Sequence, residues 1–408
     1  MPHLGESLSP LVAVAYHGVT LVDGMTASAG HISRDDADAL QVPVGVIGRG
    51  FQSVPGFGND EAIGSVSEPT PENLEQLEEL LSRPSDAVVR SLAKLDGDLI
   101  ILGVGGKMGP SLARQARRAF DAAGVTRRVI GVSRFSQPGL REQLQTWGIE
   151  TRDCDLLNEQ QVGQLPQVAN VIAMTGMKFG AADQPARTWA MNCYLPAIYM
   201  RHFRQSRFAV FSSGNVYGLA PFAGGGSRET DAVRPVGEYA VTVLGRERMV
   251  EYFSRELALP TVILRLNYAV ELRYGVLVDL ACKVFAGEPI DLAMGYTNVI
   301  WQTEANALAL QALELASCPP TVLNLAGPEL LSVRAIAERF AQLLGKRAVL
   351  RGEPAPDAFL NNGSKAHDWF GRPQVSAEQM MVWIADWVAR GGANLGKPTH
   401  FENRAGTY

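Results

Sequence analysis

Asp98–Leu112 reads DLIILGVGGKMGPSL, and the fold turns on this stretch. Leu99–Leu102 is an unbroken apolar run bounded by an aspartate and a glycine, the pattern of a strand buried on both faces. Gly103 lets the chain turn sharply off that strand. Gly106 removes the side chain where backbone would meet a pyrophosphate, and Gly109 lets the following helix pack close to the sheet. Pro110 suits a first helical turn. The other amide donors of that turn, with Met108 at its entrance, would face phosphate oxygens at the positive end of the helix dipole. Strand, glycine loop and helix in this order imply a dinucleotide site at Gly103, Gly106 and Gly109.

The next strand bears on which dinucleotide. It ends Val132-Ser133-Arg134, whereas an acidic residue there would accept hydrogen bonds from an adenosine ribose. The Arg134 guanidinium suits a 2′-phosphate, and Lys107 offers a second cation. The expected cofactor is NADP, with NAD as the alternative.

Farther out, short apolar runs alternate with helical segments. Strands are expected at Leu99–Leu102, Val129–Val132, Ile149–Arg152, Val171–Met174, Phe208–Phe211 and Val262–Leu266. Helices are expected at Pro110–Ala123, Gly139–Trp147, Thr188–Arg204 and Tyr239–Leu257. This alternation predicts an α/β fold, a doubly wound parallel Rossmann sheet with a smaller C-terminal substrate-binding lobe. Before it, Thr70-Pro71-Glu72 reads as a helix start, and Pro84 opens a second helix through Leu95. Residues 1–70 contain no lysine and show no sustained period, so a poorly ordered leader is expected, although Leu11–Ala15 and Val42–Ile47 are apolar enough for strands. The expected parts are a leader (1–70), a helical lead-in (71–97), a cofactor core (98–266), a substrate lobe with returning strands of the sheet (267–390) and a tail (391–408).

Composition narrows the function classes. Of 408 residues, 46% are hydrophobic and 19% charged, and the net charge is −5, as in a chain with a real core. The basic residues are scattered, which speaks against nucleic acid as a partner. No apolar run reaches the ~18 residues of a membrane span, and Met1–Pro10 lacks the basic start of a secretory signal. Cys154, Cys193, Cys282 and Cys318 show no paired spacing, so they read as small apolar groups in a reducing cytoplasm. The dispersed histidines give no metal site. The expected partner is a small molecule, and a homodimer is among the expectations.

From about Asp98 to Val388 the chain resembles the extended short-chain dehydrogenase/reductase family, of the NAD-dependent epimerase/dehydratase type. Gly103-x-x-Gly106-x-x-Gly109 has that branch's spacing. Asp155-Leu156 is similar to the step after the third strand, and the resemblance implies that it holds the adenine. Val171–Lys178 resembles the segment under the cofactor, with Lys178 matching a lysine of some epimerases, and Asn192 matches the helix asparagine that supports the active-site backbone. Phe211-Ser-Ser213-Gly-Asn-Val-Tyr217-Gly218 resembles the fifth-strand motif and implies Ser213 as the catalytic hydroxyl. Thr321–Gly327 and Leu331–Val333 resemble the late strand and helix start.

The active-site helix departs from the family. Where the family has Tyr-x-x-x-Lys, this chain has Tyr239-Ala-Val-Thr-Val243. Valine thus replaces the lysine that binds the nicotinamide ribose and lowers the tyrosine pKa. Lys178 is expected to supply the cation, with Arg246, seven residues past Tyr239 on the same helical face, as a second candidate. The acid pair of sugar 4,6-dehydratases is replaced by Gly214 and Asn215. The stretch that helps hold a nucleotide diphosphate reads Thr297-Asn298-Val299-Ile300-Trp301, without its arginine.

The resemblance therefore implies an NAD(P)-dependent oxidoreductase or epimerase acting on a hydroxyl or carbonyl of a sugar-like substrate. Ser213, Tyr239 and Lys178 would be catalytic, with Lys178 and Tyr239 also touching the cofactor. Asn215, Asn267 and Arg273, with Tyr274 beside it, are expected at the substrate, and Trp301 offers a face for a sugar ring. Loss of the lysine keeps a second class in view, a non-catalytic NAD(P)-binding sensor or scaffold.

Overall fold

The computed structural model describes residues 68–178 and 180–407. The leader expected over 1–70, with its two apolar stretches, lies outside the described residues except for its last three.

Seven parallel strands form the central sheet: β1 Leu99–Leu102, β2 Val129–Ser133, β3 Glu150–Asp153, β4 Asn170–Ala173, β5 Arg207–Ser213, β6 Thr261–Leu266 and β7 Thr321–Leu325. Their order across the sheet is β7-β6-β5-β4-β1-β2-β3. Leu99 pairs with Val129 on one side and Asn170 on the other. The order reverses between β1 and β4, so a crevice opens beyond the carboxyl ends of these two strands. All six strands expected from the sequence form within a residue or two of their expected ends.

Alternation along the strands sorts side chains into two layers. Leu99 and Ile101 pack with Leu112 and Phe120 of α3 (Gly109–Ala122) on one face. Ile100 and Leu102 pack with Tyr199 and Phe203 on the other. Each such side chain contributes about 1.5–3 kcal/mol relative to leaving it exposed. A third core lies outside the sheet, among the helices Val276–Ala286, Val333–Leu344 and Ala377–Ala389. Leu77 and Leu81 from the first helix and Phe401 from the tail also enter it.

Local chemistry explains where the elements depart from expectation. The first helix runs Leu74–Leu81 and is capped by Asn73, which accepts from the Gln76 amide, rather than by Thr70. The second is Asp86–Lys94, capped by Ser85. The helix expected at Thr188–Arg204 is broken into Pro185–Trp189, a π-helical turn at Ala190–Tyr194 and a helix at Leu195–His202. Pro196 has no N–H to give to the Asn192 carbonyl four residues earlier, which favours the wider turn. Of the cysteines, Cys154 is buried as expected, but Cys318 is exposed. No helix among the described residues is long and apolar enough to cross a membrane.

Candidate active site

The glycine loop is held by backbone geometry. Gly103 has φ +84°, and the amides of Gly103 and Val104 both donate to the Val132 carbonyl. A Cβ on Gly109 would overlap the Val104 carbonyl, so only glycine permits this approach of helix to loop. A Cβ on Gly106 would meet nothing nearer than the Gly103 carbonyl at 3.4 Å. Gly106 is therefore free of packing duty and faces open space. No side chain caps α3, so its first-turn amides remain available to an anion.

Opposite the loop, Ser213 ends β5 and is buried. Its Oγ donates to Asn215 Oδ1 at 3.0 Å and accepts from the Asn215 amide at 3.2 Å. Tyr239 stands in the first turn of α4 (Gly237–Glu256) and lines the same cleft. Lys178, on the segment after β4, brings its Nζ to 5.7 Å from the centre of the Tyr239 ring. Gly103, Gly106, Lys107, Met108 and Gly109 complete that wall, and the cleft encloses about 430 Å³, in the range of small-molecule sites.

Val243 is fully buried with Val216 and Tyr217, and Tyr239 packs against this cluster. The position of the family's lysine is thus part of a dry support under the tyrosine. One turn farther along, Arg246 donates to the Phe211 carbonyl at 2.8 Å and to Asn192 Oδ1, while its buried Nε has no hydrogen-bond partner. Asn192 also receives the Met177 amide and donates to Thr242 Oγ1. The π-helical turn thereby ties the segment carrying Lys178 to the helix carrying Tyr239.

A buried polar frame lies below. Arg265 on β6 makes a two-pronged pair with Glu247 of α4, at 2.9 and 2.7 Å. Ser212 Oγ donates to the same carboxylate. Arg265 also donates to the Tyr217 hydroxyl at 2.7 Å, which in turn donates to Asn324 Oδ1 on β7. This frame joins α4 to three strands, and Tyr217 is the member that the fifth-strand motif named in the sequence.

Several expected residues fall elsewhere or do other work. Lys107 turns into the cleft, its Nζ 3.2 Å from the centre of the Tyr274 ring. It therefore joins Lys178 and Tyr239, and Arg134, exposed at the end of β2, does not line this cleft. Ser133 Oγ accepts from the Phe135 amide, Asp155 accepts from the Leu157 amide, and Leu156 is buried.

Among the substrate residues, Asn215 lines the cleft. Asn267 is buried, and its side chain donates to Asn298 Oδ1 at 2.8 Å. Arg273 is occupied by ion pairs with Glu78 and Glu271 at 2.8 and 3.0 Å. Trp301 is 1% exposed, its ring 5.2 Å from that of Trp383. Trp301 is a core residue and offers no face to a sugar, because the third core closes over it. Tyr274, by contrast, lines the cleft.

The tail supplies wall residues that sequence reading missed. Lys397 and Thr399 both line the cleft. Thr399 donates from its amide and its hydroxyl to Asp279 Oδ2, at 2.7 and 2.6 Å. Phe401 is 1% exposed, and Arg404 pairs with Asp357. A lysine in a glycine-rich, non-periodic segment carries no signal of this placement.

The cationic side chains feel one another. Burial pulls Lys107 down from the ordinary lysine value to about 7, helped by the charges of Lys178 and Lys397 and opposed by Asp279 and Glu271. Burial likewise lowers Lys178 to about 8. At neutral pH Lys107 is thus divided between its two forms, while Lys178 stays mostly protonated.

Residues 99–270 match the sequence model of the NAD dependent epimerase/dehydratase family. No curated protein matches the chain in sequence. Solved structures similar to it include MoeE5 in complex with UDP-glucose and NAD, 20% identical, covering 72% of this chain and 99% of that one, with a TM-score of 0.57. The UDP-glucose 4-epimerase of Thermus thermophilus, in complex with NAD, is 18% identical over 71% of this chain and 98% of its own, with a TM-score of 0.58. Pal from Bacillus thuringiensis is 14% identical over 72% and 99%, with a TM-score of 0.60. These likenesses carry the fold, and the matched segment includes the glycine loop, Ser213 and Tyr239. Residues 99–270 thus resemble the NAD dependent epimerase/dehydratase family, and Val243 stands where that resemblance places the active-site lysine.

Proposed function

We propose that the protein is an NAD(P)-dependent oxidoreductase or epimerase acting on a hydroxyl or carbonyl of a sugar-like substrate. The observation that carries this reading is that Ser213, Tyr239 and Lys178 line one cleft with the glycine loop. The site fits a dinucleotide: Gly106 faces open space, and the α3 amides are capped by no side chain. MoeE5 and the Thermus epimerase were solved with NAD, which supports the same class of cofactor here.

Gly103, Gly106, Met108 and Gly109 would hold the pyrophosphate, Ser133 and Arg134 the adenosine ribose, and Asp155 and Leu156 the adenine. When bound, the nicotinamide supplies the group that accepts or donates hydride. Tyr239 exchanges a proton with the substrate oxygen. Ser213, whose hydroxyl now donates to Asn215 Oδ1, rotates to hydrogen-bond that same oxygen. Lys178 favours the phenolate of Tyr239 through space. Asn215 lies beside Ser213 and would meet the substrate.

The test is a panel of sugars and keto-sugars offered to purified protein with NAD and with NADP, following the reduced-nicotinamide absorbance. Tyr239→Phe is expected to lower turnover by about 10²–10⁴-fold, the usual worth of a positioned acid/base group. Lys178→Met is expected to lower it and shift the basic limb of the pH–rate profile, and Val243→Lys to restore part of the loss. Full activity in Tyr239→Phe would sink the assignment, and cofactor binding with no turnover on any substrate would favour the non-catalytic binder. Titration of wild type and Arg134→Ala with both cofactors decides the NADP preference, and equal wild-type affinities would remove it.

A further inference from the structure

The first turn of α4, which carries Tyr239, opens on Val236 at the N-cap position. A valine side chain has no oxygen to accept a first-turn amide, so the N-cap residue cannot secure this helix end. Such ends fray unless other groups hold them. Farther along, Glu238 accepts from the Trp189 indole at 2.5 Å, and Thr242 Oγ1 accepts from Asn192 at 2.9 Å. At Gly237 the neighbour is the tail. Gly237 (φ +81°) and Gly406 (φ +71°) meet backbone to backbone. A Cβ on Gly406 would overlap the Val236 carbonyl, and one on Gly237 would overlap the Gly406 carbonyl. Gly406 is buried between exposed Ala405 and Thr407, so the chain turns this one residue inward.

A tight turn anchored in the second lobe presents Gly406. The Asn403 side chain donates to the Thr407 carbonyl at 2.6 Å and accepts from the Ala405 amide at 2.9 Å, which closes the turn around Gly406. Arg404 donates to the Asp357 carbonyl at 2.8 Å and pairs with the Asp357 carboxylate. Upstream, Phe401 is sunk in the third core, and Thr399 is bonded to Asp279 at the wall of the cleft. The tail thus runs from the cleft wall, along the second lobe, to the start of the helix that bears Tyr239. Where backbone meets backbone no rotamer can adapt, so a shift of the tail must be taken up by the helix start.

We propose that the tail turn Asn403–Thr407 positions Tyr239, with Gly406 seating the first turn of α4 and Arg404 fixing that seat to the second lobe. The proposal rests on the reading of Tyr239 as the acid/base group and adds the element that sets its place. A proton passes between oxygens at hydrogen-bond distance, and a misplacement of about 1 Å can cost about 10²-fold in rate. Gly406 and Arg404 are positioning residues that act through Tyr239.

The test compares full-length wild type with Gly406→Ala, Gly406→Asn and Arg404→Met. Amide hydrogen exchange is read by mass spectrometry over residues 237–243 and over β1, NAD affinity by fluorescence titration, and kcat and KM on the sugar that the panel identifies. Gly406→Ala should speed exchange over 237–243 about tenfold or more and leave β1 unchanged. Its kcat should fall about tenfold or more, with KM and NAD affinity within about twofold. Arg404→Met, which alters neither glycine, should change the same quantities in the same direction, and it decides alone if Gly406→Ala does not fold. Asparagine tolerates the left-handed backbone that alanine resists, so Gly406→Asn separates the close approach from the backbone angle. It should behave like alanine, and wild-type behaviour would overturn the proposal. Unchanged exchange over 237–243 overturns it as well, as does faster exchange in β1 to the same degree, or faster exchange over 237–243 with kcat intact. A wild type that turns over no sugar would refute the enzyme reading, and exchange over 237–243 would still decide the seat.

Discussion

The cleft has ion pairs beneath it and above it, and they are built in opposite ways. Beneath, Arg265 and Glu247 are 7% and 4% exposed, and each has further hydrogen-bond partners. Above, Lys283 and Glu402 hold the tail with side chains 28% and 35% exposed, at 3.2 Å. Coulomb attraction is strong in the first setting and screened in the second, but the buried pair also bears a desolvation cost. The frame beneath therefore fixes geometry through groups that must all be present. The strap above is a set of separable contacts: buried Phe401, the Thr399–Asp279 hydrogen bonds and the Arg404–Asp357 pair.

The sharpest way to break this contrast is to remove half of the buried pair. Arg265→Met should cost about 3–5 kcal/mol, because Glu247 and the Tyr217 hydroxyl lose their partner in a dry site. Chemical denaturation measures it, and the double variant Arg265→Met, Glu247→Leu should recover a good part of the loss. A cost below about 1 kcal/mol would mean that water reaches the frame.

The next effect is at the strap. Thr399→Val removes the hydroxyl hydrogen bond to the Asp279 carboxylate and leaves the amide one, and a bond to a charged group is worth about 1.5–3 kcal/mol. The stability loss should be smaller than for Arg265→Met, and a loss as large would place the strap with the buried frame.

A third measurement is pH dependence. Lys107 faces Lys178, Lys397, Asp279 and Glu271, and its value in the fold, about 7, lies below the ordinary 10.5. Between these values the unfolded chain holds the proton and the folded chain has released it, so stability rises with pH in that window. The gain is at most about 1.4 kcal/mol per pH unit. Lys107→Met should flatten the rise between pH 7 and 8, below the point where Lys178, at about 8, begins to contribute. Smallest of all, Lys283→Met should cost about 0.2–1 kcal/mol, as exposed pairs do. A larger loss would place that pair with the buried one.

Legibility in the sequence followed how each part is made. Leu99–Leu102, the glycine spacing and the strand–helix alternation are local patterns, and they led to the sheet and the loop. Ser213 and Tyr239 were found through a motif of fixed spacing. Lys397 is brought to the cleft by its neighbour Thr399, which bonds to Asp279 across 120 positions of chain, and no local period encodes that. Trp301 misled for a related reason: an aromatic after a short strand looks the same in sequence whether it faces a ligand or Trp383. Pro196 did carry a local signal, the missing amide that widens the turn at Asn192, but the helical period around it masked that signal.

The frame under Ser213 and Tyr239 has one more consequence. The groups proposed to move protons are braced from below by Arg265, Glu247, Tyr217 and Asn324, whereas the outer wall of the cleft comes from Tyr274 and the tail. Wear on one support need not reach the other. Substitutions near 274 and 397 therefore change the rim of the cleft without touching the hydrogen bonds that hold Ser212, Glu247 and Arg265 in place.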